Sequence, residues 1–191
     1  IKKLRGQFSI AFYDSNIKKL MLIRDRVGQK PLFYHEDEEQ VLFSSNLLSV
    51  ATLIKSPQIS EQGFSEYINY GVVPSPNTIF KDIKKVSPGE VIEFNLSRKP
   101  IITKKNIYWQ IENYIGNEKF DATEFFKLFD ESKSIRNMAD VDIAYFLSGG
   151  IDSTSIIESV RKEENKINTF SVIYDDKKYD VIFIDGDHSY T

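Results

Sequence analysis

The order of hydrophobic and polar positions over residues 7–45 and 89–109 predicts an antiparallel, strand-rich region. Gln7–Asp14 and Lys18–Asp25 form a predicted hairpin around a Ser15-Asn16 turn. The segments that predict further strands are PLFY after a break at Pro31, VLFSS (Val41–Ser45), GEVIEFNL (Gly89–Leu96) and IITKKNIYW (Ile101–Trp109). Short connections, such as the charged turn at 36–39, favour antiparallel pairing of neighbouring strands.

Residues 46–71 carry the spacing of two helices. In the first, the apolar positions share one broad face: Leu47, Leu48, Val50, Ala51 and Ile54. Ser60 is the predicted N-cap of the second helix, in which Phe64, Tyr67 and Ile68 recur at i, i+3 and i+4. Gly71 has the residue type that most often ends a helix in a left-handed conformation.

Beyond a polar stretch at 110–120, which predicts a linker, the pattern predicts helix, strand, helix and strand. The helix that begins at Asp121 has a mainly aromatic stripe, predicted to pack in a core: Phe125, Leu128, Phe129 and, on the same side, Ser132. Val141–Leu147 predicts a strand, the residues up to Arg161 a helix, and Lys166–Tyr174 a second strand. A right-handed crossover makes these strands parallel, and such sheets bind ligands beyond the carboxyl ends of their strands.

The turn between that first strand and its helix has the residues of an anion site. Ser148, Gly149 and Gly150 precede Asp152 and Ser153 at the predicted helix N-terminus. Unpaired N–H groups and the helix dipole favour negative charge there, and two glycines permit positive φ and a close phosphate. The lysine of a Walker P-loop is missing. The alternative is a tight turn in which Ser and Asp only cap the helix.

Composition narrows the classes of function. The chain has 191 residues, a net charge of −3 and no cysteine, which excludes disulfides, cysteine metal sites and a thiol nucleophile within it. Nothing in this charge balance indicates nucleic-acid binding. The absence of a signal peptide or membrane-length apolar run predicts a cytoplasmic protein without membrane contact. Because the first residue is Ile, the chain is expected to be a piece of a longer protein.

An ordered set of motifs resembles the glutamine-dependent asparagine synthetases. The segments that carry the resemblance are LRGQFSIAFYD, RDRVGQKPLFY, YGVVPSPNTIF, VSPGE, ADVDIAYFLSGGIDSTSI and TFSVIYDDKKYD. The fold class that this implies is α+β followed by α/β. Residues 1–109 would be part of an antiparallel two-sheet glutaminase-type sandwich, and 110–120 a linker. Residues 121–180 would be the first βαβ unit of a doubly wound parallel-sheet ATP pyrophosphatase domain.

The resemblance also implies a chemistry and a set of site residues. The family is a class of carbon–nitrogen ligases that cleave ATP between the α and β phosphates, form β-aspartyl-AMP from aspartate, and displace AMP with ammonia from glutamine. By this resemblance the pyrophosphate contacts are Ser148, Gly149, Gly150, Asp152 and Ser153, with Asp152 on Mg²⁺. Leu147 and Val172 would touch the adenosine through backbone groups, although ordinary strand positions explain these two equally well.

Departures from the family pattern limit what this chain is expected to do. The family's glutaminase nucleophile is an N-terminal cysteine, so we expect no glutaminase activity and an incomplete, inactive fragment. Asp142 and Ala144 replace the family's Pro and Gly, and Asn46 its Glu. A doubly wound domain needs about five parallel strands, and the chain supplies two or three. Apolar surface left uncovered by both halves predicts poor solubility or a homo-oligomer.

The last segment, VIFIDGDHSYT at 181–191, departs from the family and resembles a late strand and loop of class I methyltransferases. Asp185, Asp187 and His188 would be its metal or substrate cluster, but no methyltransferase-type glycine loop precedes it. A third apolar strand followed by a polar turn is the alternative. Three other functions stay open: a sister ligase acting on another carboxylate, such as a β-lactam synthetase, a non-catalytic nucleotide-binding remnant, and a methyltransferase.

Overall fold

The chain folds as two compact units. The computed structural model describes residues 1–116, 119–163, 166–175 and 178–186. The first unit is Ile1–Gly116, and the remainder of the chain forms the second. The division falls inside the polar stretch 110–120, where Ile111–Tyr114 forms one 3₁₀ turn. Within the described residues, no helix has the length and apolar character needed to cross a membrane.

The N-terminal unit is built on two antiparallel sheets. Its elements in chain order are β1 (Ser9–Asp14), β2 (Lys19–Arg24), β3 (Phe33–Glu36), β4 (Val41–Ser44), α1 (Leu47–Ala51), α2 (Glu61–Tyr70), β5 (Lys84–Lys85), β6 (Glu90–Asn95) and β7 (Ile102–Ile107). One sheet has the order β1-β2-β6-β7 and the other β4-β3-β5. The predicted hairpin of β1 and β2 is confirmed, with Ser9 opposite Arg24 and Asp14 opposite Lys19. The two-residue strand β5 has no counterpart in the sequence prediction.

The core of this unit joins the two sheets. Leu20 and Leu22 alternate along β2, and Ile92 and Phe94 along β6, so one face of that sheet is buried. Tyr34 of the other sheet belongs to the same buried cluster, and its ring meets that of Phe94 edge to face at 5.8 Å. Burial raises the pKa of the Tyr34 hydroxyl, with the charges of Glu36 and Glu90 adding to the shift. The antiparallel part of the predicted fold class is therefore observed.

The second helix of this unit is capped as expected by Ser60 and Gly71, and both helices expose apolar side chains. The Ser60 side chain accepts from Gly63 N–H, and Gly71 ends α2 with a φ of 71°. However, Phe64, Tyr67 and Ile68 of α2 are 54%, 53% and 66% exposed. The first helix stops at Ala51, three residues before Ile54, and its Leu48 is exposed. Four of the five predicted positions nevertheless share one apolar cluster, because Leu47 and Ile54 pack against the buried Val50 and Ala51.

The C-terminal unit contains a parallel strand pair with a connecting helix. Its elements are α3 (Ala122–Arg136), β8 (Ala144–Phe146), α4 (Ile151–Arg161), β9 (Ile167–Asp175) and β10 (Lys178–Gly186). The predicted parallel pairing is observed, with Phe146 of β8 opposite Phe170 of β9. β8 is shorter than the predicted strand at 141–147, and Val141 is exposed. The sheet has the order β10-β9-β8, and β10 runs antiparallel to β9.

One prediction for this unit is wrong, and one alternative given for its tail is observed in part. The stripe on α3 was expected in a core, yet Phe125 and Leu128 are about half exposed, at 48% and 56%. The reason is geometric, because the aromatic side chains of α3 line an open groove against α4. The unusual tail at 181–191 contributes a third strand through Gly186, paired with β9 from Lys178 onwards. Its polar end, 187–191, lies outside the described residues.

Candidate phosphate-binding site

The turn between β8 and α4 is fixed at its start by two hydrogen bonds from β9. Leu147, the first residue after β8, donates its N–H to the Phe170 carbonyl at 2.7 Å. The Ser171 hydroxyl donates to the Leu147 carbonyl, also at 2.7 Å. Both polar groups of the Leu147 backbone therefore have partners on the neighbouring strand. The turn consequently leaves the sheet at its carboxyl end, as the sequence predicted.

Only one of the two adjacent glycines has a backbone that demands glycine. Gly149 has a φ of 77°, in the left-handed region that a side chain disfavours, and an added Cβ would meet no atom within 4 Å. Gly150 is extended, with φ −77° and ψ 162°, a conformation open to any residue. Of the two glycines, Gly149 is therefore the one that uses the positive φ that glycine permits. Open space beside Gly149 leaves that side of the turn free for a bound group.

The hydroxyls of Ser148 and Ser153 close the turn on itself. The Ser153 hydroxyl donates to the Gly150 carbonyl at 3.1 Å and accepts from Ser148 N–H at 3.3 Å. The two hydroxyl oxygens lie 3.1 Å apart. Thr154 adds a hydroxyl bond of 2.8 Å to the same Gly150 carbonyl. The side chain of Ser153 thus faces into the turn and lies beside the Ser148 N–H, one of the candidate donors to an anion.

The N-terminus of α4 differs from those of the other helices in its capping. Asn46, Ser60 and Asp121 each accept a bond from an N–H of the first turn of α1, α2 and α3. At α4 the N-cap is Gly150, which provides no side-chain bond. An uncapped first turn keeps its N–H donors available, and the helix dipole favours an anion as their partner. The N-cap of α4 is therefore not a Ser or an Asp, and the structure does not support the alternative in which these residues only cap the helix.

A groove of about 790 Å³ opens beside this turn. Gly149, Ile151 and Asp152 form one end of it, and the aromatic rings of α3 form a wall. Phe125 stacks on Phe129 with ring centroids 6.2 Å apart. The exposed carboxylate of Asp152 thus lies at the junction of the helix N-terminus and an apolar groove. An acidic oxygen in this place is a suitable ligand for Mg²⁺ beside phosphates.

The far end of the groove holds α3 against α4. The Ser159 hydroxyl donates to the Asp130 carboxylate at 2.5 Å, and Lys162 lies 3.4 Å from the other oxygen. The Ser159 bond is the main cause of a lowered pKa of Asp130, and the charge of Lys162 adds to it. The buried Lys133 of α3 lies 2.6 Å from the carboxylate of Glu163. These contacts fix the spacing of the two helices and hence the width of the groove.

The predicted site residues divide into a cluster and outliers. The cluster is continuous along the turn and the first helical turn: Leu147, Ser148, Gly149, Gly150, Asp152 and Ser153. Val172 lies on β9, two residues beyond the partner of Phe146, and is 53% exposed. Asp185 lies in β10 opposite Asn168, whereas Asp187 and His188 lie outside the described residues. Among described residues, no group of three His, Cys, Asp or Glu could hold a metal ion.

Two contacts behind the turn were not anticipated from the sequence. Ser171 is a polar residue within the apolar strand TFSVIY, and that interruption was the available signal. The Asn137 side chain, just after α3, donates to the Tyr145 hydroxyl of β8 at 2.7 Å. No local pattern links residues eight or 24 positions apart in this way. Both contacts tie β8, from which the turn departs, to its neighbours.

Comparison with known proteins bears on the same two parts of the chain. The model of a glutamine amidotransferase domain matches residues 1–109, and that of asparagine synthase matches residues 124–182. A putative glutamine-hydrolysing asparagine synthetase of Methanocaldococcus jannaschii is 31% identical over 196 residues, 97% of this chain and 38% of that protein. Asparagine synthetase 1 of Bacillus subtilis is 31% identical over 184 residues, 93% of this chain and 28% of its own length.

An amidase, chyE, of Penicillium rubens is also similar, at 29% identity over 163 residues, 82% of this chain and 23% of the amidase. The chain thus spans less than two fifths of each of these three relatives. The amidotransferase match covers more than half of the chain, in the unit with the antiparallel sheets, and the synthase match includes the turn at 147–153. The chain belongs to the glutamine-hydrolysing asparagine synthetase family.

Proposed function

We propose that this chain carries the pyrophosphate-binding part of an ATP-dependent amide ligase of the asparagine synthetase type. The observation that supports this most is the uncapped N-terminus of α4, which begins beside the left-handed Gly149 and opens onto the groove. In this proposal residues 1–109 are the glutaminase-type part. Residues 121–180 begin the ATP pyrophosphatase domain, and 181–191 are an atypical tail.

The proposed reaction joins an amide nitrogen to a carboxylate such as that of aspartate. A carboxylate oxygen attacks the α phosphorus of ATP, the bond to the bridging oxygen breaks, and pyrophosphate leaves with the electron pair. Ammonia then attacks the acyl carbon of β-aspartyl-AMP, and AMP leaves. Negative charge grows on the departing pyrophosphate, and oriented N–H groups at a helix N-terminus stabilise such charge without reorganising.

Residues of the turn have distinct proposed roles. Gly149 lets the phosphates approach the backbone, and the first N–H groups of α4 would bind them. Ser148 and Ser153 would turn their hydroxyls from each other towards the phosphate oxygens. The Asp152 carboxylate would hold Mg²⁺, which neutralises phosphate charge when bound. Leu147 and Val172 would meet the adenosine through backbone groups, and because both polar groups of Leu147 already have partners, its carbonyl would offer only a second lone pair.

The nature of the carboxylate substrate is the least constrained part of the proposal. Relatives named as asparagine synthetases favour aspartate, whereas the similarity to an amidase keeps a sister enzyme with another carboxylate as the alternative. A non-catalytic nucleotide-binding remnant is the second alternative. The aspartate ligase, the sister ligase and the remnant would all keep the phosphate site. Binding of pyrophosphate with Mg²⁺ therefore distinguishes these three functions from a turn that only caps a helix.

Titration of the 191-residue chain with pyrophosphate and Mg²⁺ tests the proposal. We expect binding by isothermal titration calorimetry, weakened at least tenfold by Asp152→Asn because one charged Mg²⁺ ligand is lost. Glu158→Gln is the matched control, since Glu158 lines the same groove but lies on the second turn of α4. It should leave the affinity within about twofold. Absence of binding by the folded wild-type chain, or equal loss in both variants, would reject the proposed site.

We also propose that the chain self-associates through the apolar face of α2. Phe64, Tyr67 and Ile68 are each more than half exposed on that helix, and an exposed patch of this kind favours association. Sedimentation velocity should show a weight-average mass that rises over a tenfold range of concentration. The double substitution Phe64→Ser and Ile68→Ser should reduce the rise. A monomer at every concentration would contradict this expectation.

A further inference from the structure

We infer that Ser171 is a positioning residue for the phosphate-binding turn, acting from β9 through a single peptide group. This inference rests on the proposed function of that turn and adds a residue to it. Ser171 lies on the neighbouring strand, 24 positions from Leu147. Its hydroxyl donates to the Leu147 carbonyl at 2.7 Å, the usual length of an O–H···O hydrogen bond.

The bond acts where the backbone ladder between the strands ends. The last paired residues are Phe146 of β8 and Phe170 of β9. One further backbone bond joins Leu147 N–H to the Phe170 carbonyl. Beyond it, the chain of β8 turns away towards Gly149, and the Ser171 hydroxyl holds the next carbonyl. The Ser171 side chain thus continues the contact between the strands as far as the peptide group that joins Leu147 to Ser148.

Fixing that carbonyl also fixes the N–H group that follows it. The Leu147 carbonyl and the Ser148 N–H belong to one planar, trans peptide, so the two groups point in opposite directions. A hydroxyl that holds the carbonyl towards β9 therefore aims the Ser148 N–H away from β9. That N–H faces the Ser153 hydroxyl at 3.3 Å, inside the turn. Ser171 thereby orients the first N–H donor of the proposed phosphate site.

Orientation of this kind changes affinity more than it changes overall stability. A donor held in place before the ligand arrives does not lose its freedom on binding, so preorganisation appears in the dissociation constant. Ser171 is half-buried, and its loss would leave the Leu147 carbonyl free to rotate towards water. The turn would then sample orientations in which the Ser148 N–H points away from the ligand.

The matched variants differ in which hydroxyl they remove. Ser171→Ala deletes the bond to the turn, and Ser171→Thr keeps a hydroxyl on a residue type that strands favour. Thr78→Val deletes a hydroxyl-to-carbonyl bond of the same length, 2.7 Å to Ile83, in the N-terminal unit. Comparison of Ser171→Ala with Thr78→Val therefore separates loss of orientation from general loss of a hydrogen bond.

The first measurement is the dissociation constant of pyrophosphate with Mg²⁺. We expect Ser171→Ala to raise it about fivefold to tenfold, the effect of one net hydrogen bond, and Ser171→Thr to restore it to within about twofold of wild type. Thr78→Val should lower the thermal midpoint but leave the dissociation constant unchanged. Unchanged affinity in Ser171→Ala, or an equal loss in Thr78→Val, would overturn the inference.

The second measurement needs no ligand and separates this inference from the proposed function. Amide hydrogen exchange across residues 147–150 should accelerate in Ser171→Ala and return to the wild-type rate in Ser171→Thr. If the wild-type chain binds no pyrophosphate but exchange changes in this way, the proposed function fails while the positioning role of Ser171 stands. If exchange across the turn is the same in all three proteins, Ser171 does not position it.

Discussion

Replacing Gly89 with alanine should remove most of the stability of the N-terminal unit. Gly89 has a φ of 65°, and a Cβ built on it would lie 2.1 Å from the Trp109 carbonyl oxygen, which is backbone and cannot rotate away. The Gly89 carbonyl also accepts the N–H groups of Tyr108 and Trp109. The left-handed strain and the forced displacement of that segment together should cost about 4 kcal/mol, out of roughly 5–15 kcal/mol for a domain.

Gly71→Ala provides the control, because it shares the strain without the collision. Gly71 has a φ of 71° at the end of α2, and an added Cβ meets nothing within 4 Å. Its cost should be about 1 kcal/mol. Urea unfolding followed by the fluorescence of Trp109, the single tryptophan of the chain, measures both variants. Similar midpoints for the two variants would show that the turn at Gly89 yields to a methyl group.

The parts of the fold that the sequence predicted depend on local chemistry. Ser60 and Gly71 were identified as the ends of α2 because each acts on backbone groups within four residues of itself. The hairpin of β1 and β2 was likewise predicted from the Ser15-Asn16 turn and the two segments that flank it. Short-range rules of this kind need no knowledge of the partner element.

One prediction failed because the burial of a surface depends on what covers it. The aromatic stripe of α3 was assigned to a core, whereas its rings form the wall of a groove. On α2 the spacing of Phe64, Tyr67 and Ile68 defined an apolar face without predicting whether anything packs on it, and that face is exposed. The periodicity correctly predicted the helices, but not the burial of their apolar faces.

In the candidate site, too, the local features were predicted and the long-range contacts were not. Ser148 to Ser153 form a contiguous segment, so the turn and its helix could be proposed from the residues themselves. Which of the two glycines adopts the positive φ depends on the way that α4 begins, and the residue types alone do not specify it. Ser171 and the pair of Asn137 with Tyr145 depend on strand register and helix placement, which the sequence alone does not specify.

Replacing Arg24 with methionine should be the most destabilising change of a charged residue in the N-terminal unit. The guanidinium of Arg24 is buried and donates to the carbonyls of Gly28, Val86 and Lys30 at 2.6, 2.7 and 2.9 Å. It thereby joins β2 to the turn that follows it and to the loop before β6. Methionine matches the length of the aliphatic part but leaves these carbonyls without donors, at roughly 1–3 kcal/mol for each one that water cannot reach.

The neighbouring carboxylate adds to that cost. Burial alone would raise the pKa of Asp25, but the N–H groups of Lys30, Gln29 and Phe8 donate to it and hold its pKa below the ordinary value. Asp25 therefore stays charged, and Arg24 is the cation beside it. Removing one member of a buried group of charges costs about 3–5 kcal/mol. We expect a loss of about that size for Arg24→Met.

Arg26→Met is the matched control two positions along the chain. Its guanidinium makes one exposed bond, to the Lys2 carbonyl at 3.1 Å, so its replacement should change stability by no more than about 0.5 kcal/mol. Urea unfolding monitored by Trp109 fluorescence compares the two. Because both variants lose one positive charge, net charge cannot account for a difference between them. Equal unfolding midpoints would mean that the carbonyls around Arg24 find other donors, and that its buried hydrogen bonds do not stabilise the sandwich.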